Sequence, residues 1–403
     1  MEKFPWKLVY WGAIFSLAVL GFAYYLTSLR EAPYVGGEKS EKMAEFKNTR
    51  IEGRKEGKKV WELFAQEGWT TKDLQATYLY HISSGKIYRN NQLVVMGLSA
   101  PYAKVLRDTE NIEAFKQGKE RLQAFVDLGK FSANPKKINE WIKLRADYLK
   151  YLPAEKKAEI SGNVVLTQKE QVIFAEKINI NLEQKIAEVL EKVHLKRKDG
   201  WLRCDFLRYF GEKEWAEAWN QVYLNLKENN VVTEIKGQRA ELYRDPEKDI
   251  ELSGSLEVIQ GKKMAIAPQG RYSKGKKEIL LWGGVKVILE KGKALFREET
   301  LKKLRNPEVK ELVKDKTLVS AQQISFSIAN SNAQVQGSVE VSQKGKEAKA
   351  EEALYDDLNE TLALSGNVLL KKGEVWVKCK RVLVSIPKET FEAEEVEEAK
   401  LKL

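Results

Sequence analysis

Cysteine and histidine are scarce in this chain, which has two of each among its 403 residues. No two of these four residues lie at a metal-ligand spacing, so the sequence predicts no zinc or iron site. Recognisable catalytic motifs are also missing. The string GRYSKGKK at 270–277 resembles a phosphate-binding loop, but Lys277 stands where a serine or threonine would bind magnesium, and a strand pattern follows it. We therefore expect no cofactor and no enzymatic activity.

Charged residues make up 32% of the chain, with a formal net charge of +11. This excess favours an anionic partner such as nucleic acid, an anionic membrane surface or a phosphorylated lipid. Lysine and arginine are spread along the whole chain, which the solvated face of a half-buried sheet explains equally well. Tyr209, Tyr272, Phe326 and Tyr355 could stack on bases, but they fall at interior positions of the repeat described next. We expect no nucleic-acid binding.

A small residue followed three and five positions later by apolar residues recurs with a spacing near 29. A period of this size indicates one supersecondary unit stacked many times. The clearest small residues are Ala146, Ala175, Cys204, Ala321, Ala350 and Cys379, with Gly237 and Ala267 in less regular registers. The spacing of 54 between Ala267 and Ala321 predicts a blurred unit near residue 294. Equivalent positions in distant units cannot form a disulfide, so both cysteines are expected to be free and buried.

Each unit has a second landmark, a small residue, usually glycine, that opens an apolar alternation. The strings are SGNVVL at 161–166, SGSLEV at 253–258, GGVKVIL at 283–289, QGSVEV at 336–341 and SGNVLL at 365–370. Strict alternation indicates strands, so the units are β units. The glycine indicates either a turn or a barrel-corner bend.

Alternation assigns sixteen apolar residues to the interior of the stack. They are Val164, Leu166, Ile178, Ile180, Leu256, Val258, Val285, Val287, Ile324, Phe326, Val339, Val341, Val368, Leu370, Val382 and Val384. The same pattern suits an apolar groove that holds a ligand and a dry core closed by two sheets.

The N-terminal segment contains 22 uncharged residues between Lys7 and Arg30, enough to cross a bilayer as a helix. A cleaved signal peptide is the alternative, but the apolar core is long for one and no A-x-A site follows. We predict an uncleaved anchor over 1–30 and a polar linker over 31–45. The positive-inside rule then places the rest of the chain outside the cytoplasm.

Four segments depart from the strand rhythm. Residues 107–145 contain apolar residues nearer to helical spacing, which predicts a partly helical insertion. Residues 212–222 and 298–312 are predicted to form short helices, with Pro307 ending a helix in the second segment. The charged tail 388–403 is predicted to be helical or disordered, either shielding the last strand edge or fraying.

With these patterns in place, the chain resembles two parts of one family. Residues 46–105, after the apolar segment, look like LptC, the inner-membrane component of the lipopolysaccharide-export bridge. Residues 146–387, with ISGN at 160–163 and LSGN at 364–367, look like repeats of the OstA/LptA type. The resemblance implies an all-β, elongated, open β-jellyroll of stacked repeats. It covers nearly the whole chain, although each motif is short.

The resemblance also implies a function. A membrane-anchored periplasmic protein would receive lipopolysaccharide, or a similar anionic glycolipid, from an inner-membrane ABC transporter. It would pass the lipid along an apolar groove toward an LptA-like or outer-membrane bridge protein, which it would join by edge-strand pairing. An anchored β-repeat adaptor of the cell envelope without lipid binding is the alternative. A glycan-modifying β-solenoid enzyme is a third hypothesis and would need clustered acids on one face.

Overall fold

The structure, a computed structural model, describes residues 42–89, 91–127, 141–229, 231–243, 245, 248–290 and 297–400. These residues form one antiparallel sheet of 23 strands and two short helices. The strands are β1 (Lys42–Lys55), β2 (Lys58–Thr71), β3 (Ala76–Arg89), β4 (Gln92–Leu106), β5 (Asn111–Phe115), β6 (Leu122–Asp127), β7 (Trp141–Ala146), β8 (Tyr148–Leu152), β9 (Lys157–Gln168), β10 (Gln171–Asn181), β11 (Ile186–Arg197), β12 (Gly200–Phe210), β13 (Trp215–Glu228), β14 (Val231–Tyr243), β15 (Ile250–Gln260), β16 (Lys263–Ser273), β17 (Glu278–Leu289), β18 (Thr317–Ser327), β19 (Ala333–Gln343), β20 (Lys346–Asp356), β21 (Thr361–Lys372), β22 (Val375–Ser385) and β23 (Thr390–Lys400). The helices are α1 (Glu298–Lys303) and α2 (Pro307–Leu312). The predicted all-β stack of repeats is confirmed.

Most strands pair with the next strand along the chain. The exceptions are four short strands, because β4 pairs with both β5 and β6, and β9 pairs with both β7 and β8. β5 and β6 lie end to end and together occupy the position of one long strand, and β7 and β8 do the same in the next position. We call each such position a row of the sheet. One period of the sequence repeat is therefore one β-hairpin, or two rows.

The long strands bend sharply near their middles, as β9 illustrates. Gly162 and Asn163 have φ values of +77° and +47°, and together they lie opposite the single residue Glu176 of β10. This two-against-one register is a β-bulge, which kinks a strand. A Cβ atom on Gly162 would lie 2.6 Å from Cβ of Asp147, so only glycine fits. Of the two predicted roles for this glycine, the corner bend is confirmed.

The bend divides each strand into two arms whose inner faces share one apolar core. From β9 onward, we call the edge formed by turns after odd-numbered strands rim A, and the edge formed by turns after even-numbered strands rim B. The turns at 261–262 and 344–345 belong to rim A, and those at 274–277 and 357–360 to rim B. The small residues of the repeat are buried at the corner, where the arms converge. Ala175, for example, is 6% exposed and Cys379 1% exposed.

The repeat is more regular than the sequence indicated. Ala267 lies in β16 and Ala321 in β18, which are one hairpin period apart, so the predicted blurred unit near residue 294 is wrong. The extra length is the connection 290–316, which carries α1 and α2. Helices within 298–312 are confirmed, but Pro307 begins α2, where its missing N–H has no intrahelical partner to lose.

Two other predicted helices are wrong. The described parts of 107–145 are strands β5, β6 and β7, and a loop at 116–121 separates β5 from β6. Ile112 and Leu122 are buried, whereas Phe125 is 40% exposed on the opposite face, so apolar residues from both faces of the strands together imitate helical spacing. Residues 128–140 lie outside the described residues. The predicted helix within 212–222 is strand from Trp215 onward, because β13 pairs with β12 and β14 along its length.

The two ends of the stack also differ from prediction. Residues 390–400 of the tail form β23, which pairs with β22, so a helical or disordered tail is wrong there. β1 begins at Lys42, inside the predicted linker 31–45. The predicted anchor at 1–30 lies outside the described residues. Among the described residues, no helix has the length and apolar character that crossing a membrane requires. Both cysteines are free and buried, as predicted.

Candidate ligand groove

The inner faces of the two arms form an apolar groove that follows the long axis of the stack. All sixteen residues assigned to the interior lie on these faces, either buried in the core or packed against it. Burial decreases from the corner toward the rims. On β9, Val164 beside the corner is 1% exposed, whereas Leu166, two residues nearer to rim A, is only partly buried. The same step separates Ile178 from Ile180 on the arm that leads to rim B.

The groove contains a cavity of about 440 Å³, which we call the proximal cavity. We call the arm that ends at rim A arm A and the arm that ends at rim B arm B. Leu166, Ile173 and Leu195 line the cavity from arm A, and Ile180 and Tyr209 line it from arm B. Because both arms contribute, the cavity lies between them. Side chains fill the corner but not the space nearer to the rims.

Polar and aromatic groups surround the mouth of the proximal cavity. Lys169, Arg197 and Lys274 line it together with Trp201 and Tyr272. Burial lowers the pKa of Lys274, and the nearby charge of Arg197 lowers it further. Burial also raises the pKa of Tyr272 to about 12. The mouth therefore combines cations with a partly desolvated aromatic wall.

A smaller distal cavity of about 160 Å³ lies farther along the groove. Val287 and Val341 line it from arm A, and Ile324 and Phe326 from arm B. Lys263 and Tyr355 reach it from opposite rims, with the Lys263 Nζ atom 5.2 Å from the Tyr355 ring centre. Burial lowers the pKa of Lys263, and Asp357 acts against that shift.

Ion pairs cross the mouth between the rims. Nζ of Lys277 on rim B lies 2.5 Å from Oε1 of Glu228 on rim A. Nζ of Lys263 on rim A lies 3.6 Å from Oδ1 of Asp357 on rim B. These side chains are at least partly exposed, so each pair is worth about 0–1 kcal/mol. The mouth is held together weakly at these points.

Sequence reasoning identified residues on the inner faces of the two arms but not those at the rims. The interior positions predicted for Tyr209, Tyr272, Phe326 and Tyr355 are confirmed, because all four are buried or pack against the core. No sequence pattern marked the rim residues Lys274 and Glu228. The bend of every strand determines which turns face each other, and a local pattern does not show that bend. Among the described residues, no group of three or more His, Cys, Asp or Glu could hold a metal ion.

Comparison with known proteins gives a family match over most of the chain. The model of the LptA/LptD N-terminal domain family of lipopolysaccharide-transport proteins matches residues 95–186 and 143–390. A similar solved structure is that of LptH, described as the LptA-homologous periplasmic component of the lipopolysaccharide transport device of Pseudomonas aeruginosa. It is 15% identical, with 33% of this chain and 82% of that chain covered and a TM-score of 0.25. No curated protein sequence matches the chain.

Proposed function

Because the chain belongs to the LptA/LptD N-terminal family of lipopolysaccharide-transport proteins, we propose that it carries lipopolysaccharide or a similar anionic glycolipid, with the acyl chains between the two arms. The proximal cavity of about 440 Å³ is the observation that carries this proposal. A closed sandwich packs its interior to the density of organic crystals and leaves few voids larger than a water molecule. Here the free space lies along the half-buried apolar residues nearest the rims.

The charges at the mouth suit such a ligand. Lys169 and Arg197 on rim A face Lys274 on rim B across the proximal cavity. Phosphate groups form short charge-assisted hydrogen bonds with such cations. An amphipathic lipid would place its acyl chains on the apolar wall and its phosphates at this mouth.

In the finer proposal, the protein is an LptC-like component with a built-in length of bridge, anchored in the inner membrane with its bulk in the periplasm. The apolar segment within 1–30 and its position before β1 support this arrangement. An inner-membrane ABC transporter would supply the lipid and the energy for its movement. The chain would then perform no catalytic step.

The two ends of the stack suit strand addition by a bridge partner. Among the described residues, β1 pairs only with β2, and β23 only with β22, so each end strand has an open edge. An open edge presents unpaired N–H and C=O groups to an incoming strand. An LptA-like or outer-membrane bridge protein would join one of these edges.

In-cell photo-crosslinking tests lipid binding. A photoreactive phenylalanine analogue at Leu166 or Ile180, which line the proximal cavity, should form adducts with lipopolysaccharide. The same analogue at Leu354 is the matched control, because Leu354 is an apolar strand residue with 46% exposure. We expect adducts at the first two positions and at least about tenfold less at the third.

Absence of lipid adducts at both groove positions, with normal amounts of folded protein, would overturn the conduit. It would leave the envelope adaptor as the better account. Equal adducts at Leu354 would show only that the protein lies near lipid.

A further inference from the structure

The connection between β17 and β18 is far longer than the sheet requires. Leu289 and Thr317 are directly paired across the hairpin, as Gln343 and Lys346 are in the next hairpin of rim A. There, two residues, Lys344 and Gly345, close the turn. The connection 290–316 therefore contains about 25 residues more than the closure needs. Its described part, 297–316, we call the strap.

The strap rejoins rim A at Thr317 but is bonded to rim B. The Arg297 N–H and the Thr300 hydroxyl donate to the two carboxylate oxygens of Glu360, each at 2.5 Å. The backbone N–H groups of Arg305 and Asn306 donate to the carboxylate of Glu389. Glu360 and Glu389 lie in successive turns of rim B, so the strap spans the mouth.

The attachment is mainly polar, and among the described side chains of the strap only that of Leu304 is buried. Glu360 is 3% exposed beneath the strap, and Leu304 between the two helices is 4% exposed, but α1 itself contains no buried residue. A helix that docks permanently usually buries an apolar stripe. If the strap detached, the Glu360 and Glu389 carboxylates would regain water in place of the lost hydrogen bonds. The strap is therefore held mainly by hydrogen bonds that water can replace when it detaches.

The base of the strap stands beside the distal cavity. Leu289 and Thr317, the two residues from which the connection leaves and returns, line that cavity from rim A, and Ser331 and Tyr355 line it from rim B. The turns of rim B are also linked to each other, since the Ile386 N–H donates to the Glu360 carbonyl at 3.4 Å. The strap thus connects rim A to neighbouring turns of rim B that are hydrogen-bonded to each other.

We infer that the strap is a lid over the distal groove, held shut by the Glu360 and Glu389 carboxylates. This inference rests on the proposed function for its physiological meaning, because a lipid headgroup that projects from the mouth cannot pass a closed strap. The lid divides the groove into an open proximal section and a gated distal one.

Thiol accessibility tests the lid without any lipid. Ser331→Cys places a near-isosteric thiol on the distal cavity, and Gln168→Cys places one on the proximal cavity, away from the strap. Each is made in the full chain and in a strapless chain in which 290–316 is replaced by Lys-Gly, the turn found at 344–345. Removal of the strap should raise the rate of labelling by a bulky maleimide at least about fivefold at position 331 and leave position 168 unchanged.

A second variant guards against misfolding of the strapless chain. Glu360→Gln with Glu389→Gln keeps the full length and weakens the charge-assisted bonds, and should raise labelling at position 331 by about two- to threefold. Glu183→Gln with Glu212→Gln changes two rim B turns remote from the strap and should have no effect. Unchanged labelling at position 331 in both the strapless and the Glu360/Glu389 variants would overturn the lid.

Crosslinking then separates the lid from the lipid proposal. In the strapless chain, lipid adducts at Phe326 should rise relative to those at Ile180. Faster labelling with no adduct at Ile180 in any variant would retain the lid and reject lipid transport. Normal adducts at Ile180, with labelling at position 331 unchanged in the strapless and Glu360/Glu389 variants, would support lipid transport and reject the lid.

Discussion

At the scale of single residues, the corner of each strand sets the strictest requirements. Its inner side admits only small side chains, and its outer side needs a backbone that most residues avoid. Gly366 has a φ of +77°, and a Cβ atom there would lie 2.7 Å from Cβ of Glu351. Gly373, in a turn of rim A, has a φ of +62° with no atom within 4 Å of the same added Cβ.

These two glycines give a matched pair of substitutions. Gly366→Ala and Gly373→Ala both incur the cost of a left-handed residue, about 1–2 kcal/mol. Only Gly366→Ala adds a collision, and overpacking costs about 1–3 kcal/mol. Urea unfolding should show a free energy of unfolding lower by at least about 1 kcal/mol for Gly366→Ala than for Gly373→Ala. Equal losses would mean that the corner relaxes freely.

The buried cysteines give a prediction about reactivity. Burial raises the pKa of the Cys204 thiol to about 12 and also raises that of Cys379. The thiolate is the reactive form, so the folded protein should react slowly with a thiol reagent between pH 7 and 9. Reaction should accelerate only as the pH rises toward the raised pKa. Both thiols should react at once in denaturant, and rapid native labelling at pH 8 would contradict the buried corner.

The interior positions were predictable from the sequence, but the cavity was not. Alternation placed Val164 and Leu166 on one face because successive strand residues point to opposite sides. It could not distinguish them, although one is buried at the corner and the other lines a cavity. That difference arises from the angle between the arms, which no local pattern encodes.

At the scale of elements, pairing overrode local preference. β23 is rich in glutamate, which is depleted in strands, and Phe391 and Val396 remain more than half exposed. The segment is nevertheless a strand, because β22 offers it an edge from Trp376 to Ser385. The sequence of β13 misled prediction in the same way. Helices in 298–312 were predictable because no neighbouring strand competes for that segment.

Removal of β23 should promote self-association. Deleting residues 388–403 replaces the open edge of β23, which is rich in glutamate, with the more apolar open edge of β22, and open edges without such charges pair with other chains. Light scattering during size-exclusion chromatography should show dimers or larger species that the full chain lacks. Glu397→Gln with Glu398→Gln is the control, because it reduces the charge and keeps the strand. An unchanged oligomeric state after the deletion would argue against β23 as an edge cap.

At the scale of the whole molecule, the sheet predicts an elongated particle. Because two rows are each shared by two short strands, the 23 strands make 21 rows. At about 4.8 Å per row, the stack is on the order of 100 Å long. Negative-stain electron microscopy of the full chain should show rods of about that length. Round particles about 60 Å across would contradict the single stack.

The hairpin repeat has a consequence for anything that moves along the groove. Each period presents nearly the same wall, small at the corner and aliphatic beside it, and recurs about every 10 Å. A bound lipid displaced by one period has almost the same interaction energy with the wall. The groove is therefore a track of equal steps, on which neither direction is favoured. Direction must then come from unequal supply and removal at the two ends. The strap between β17 and β18 is a place along the track where the steps become unequal.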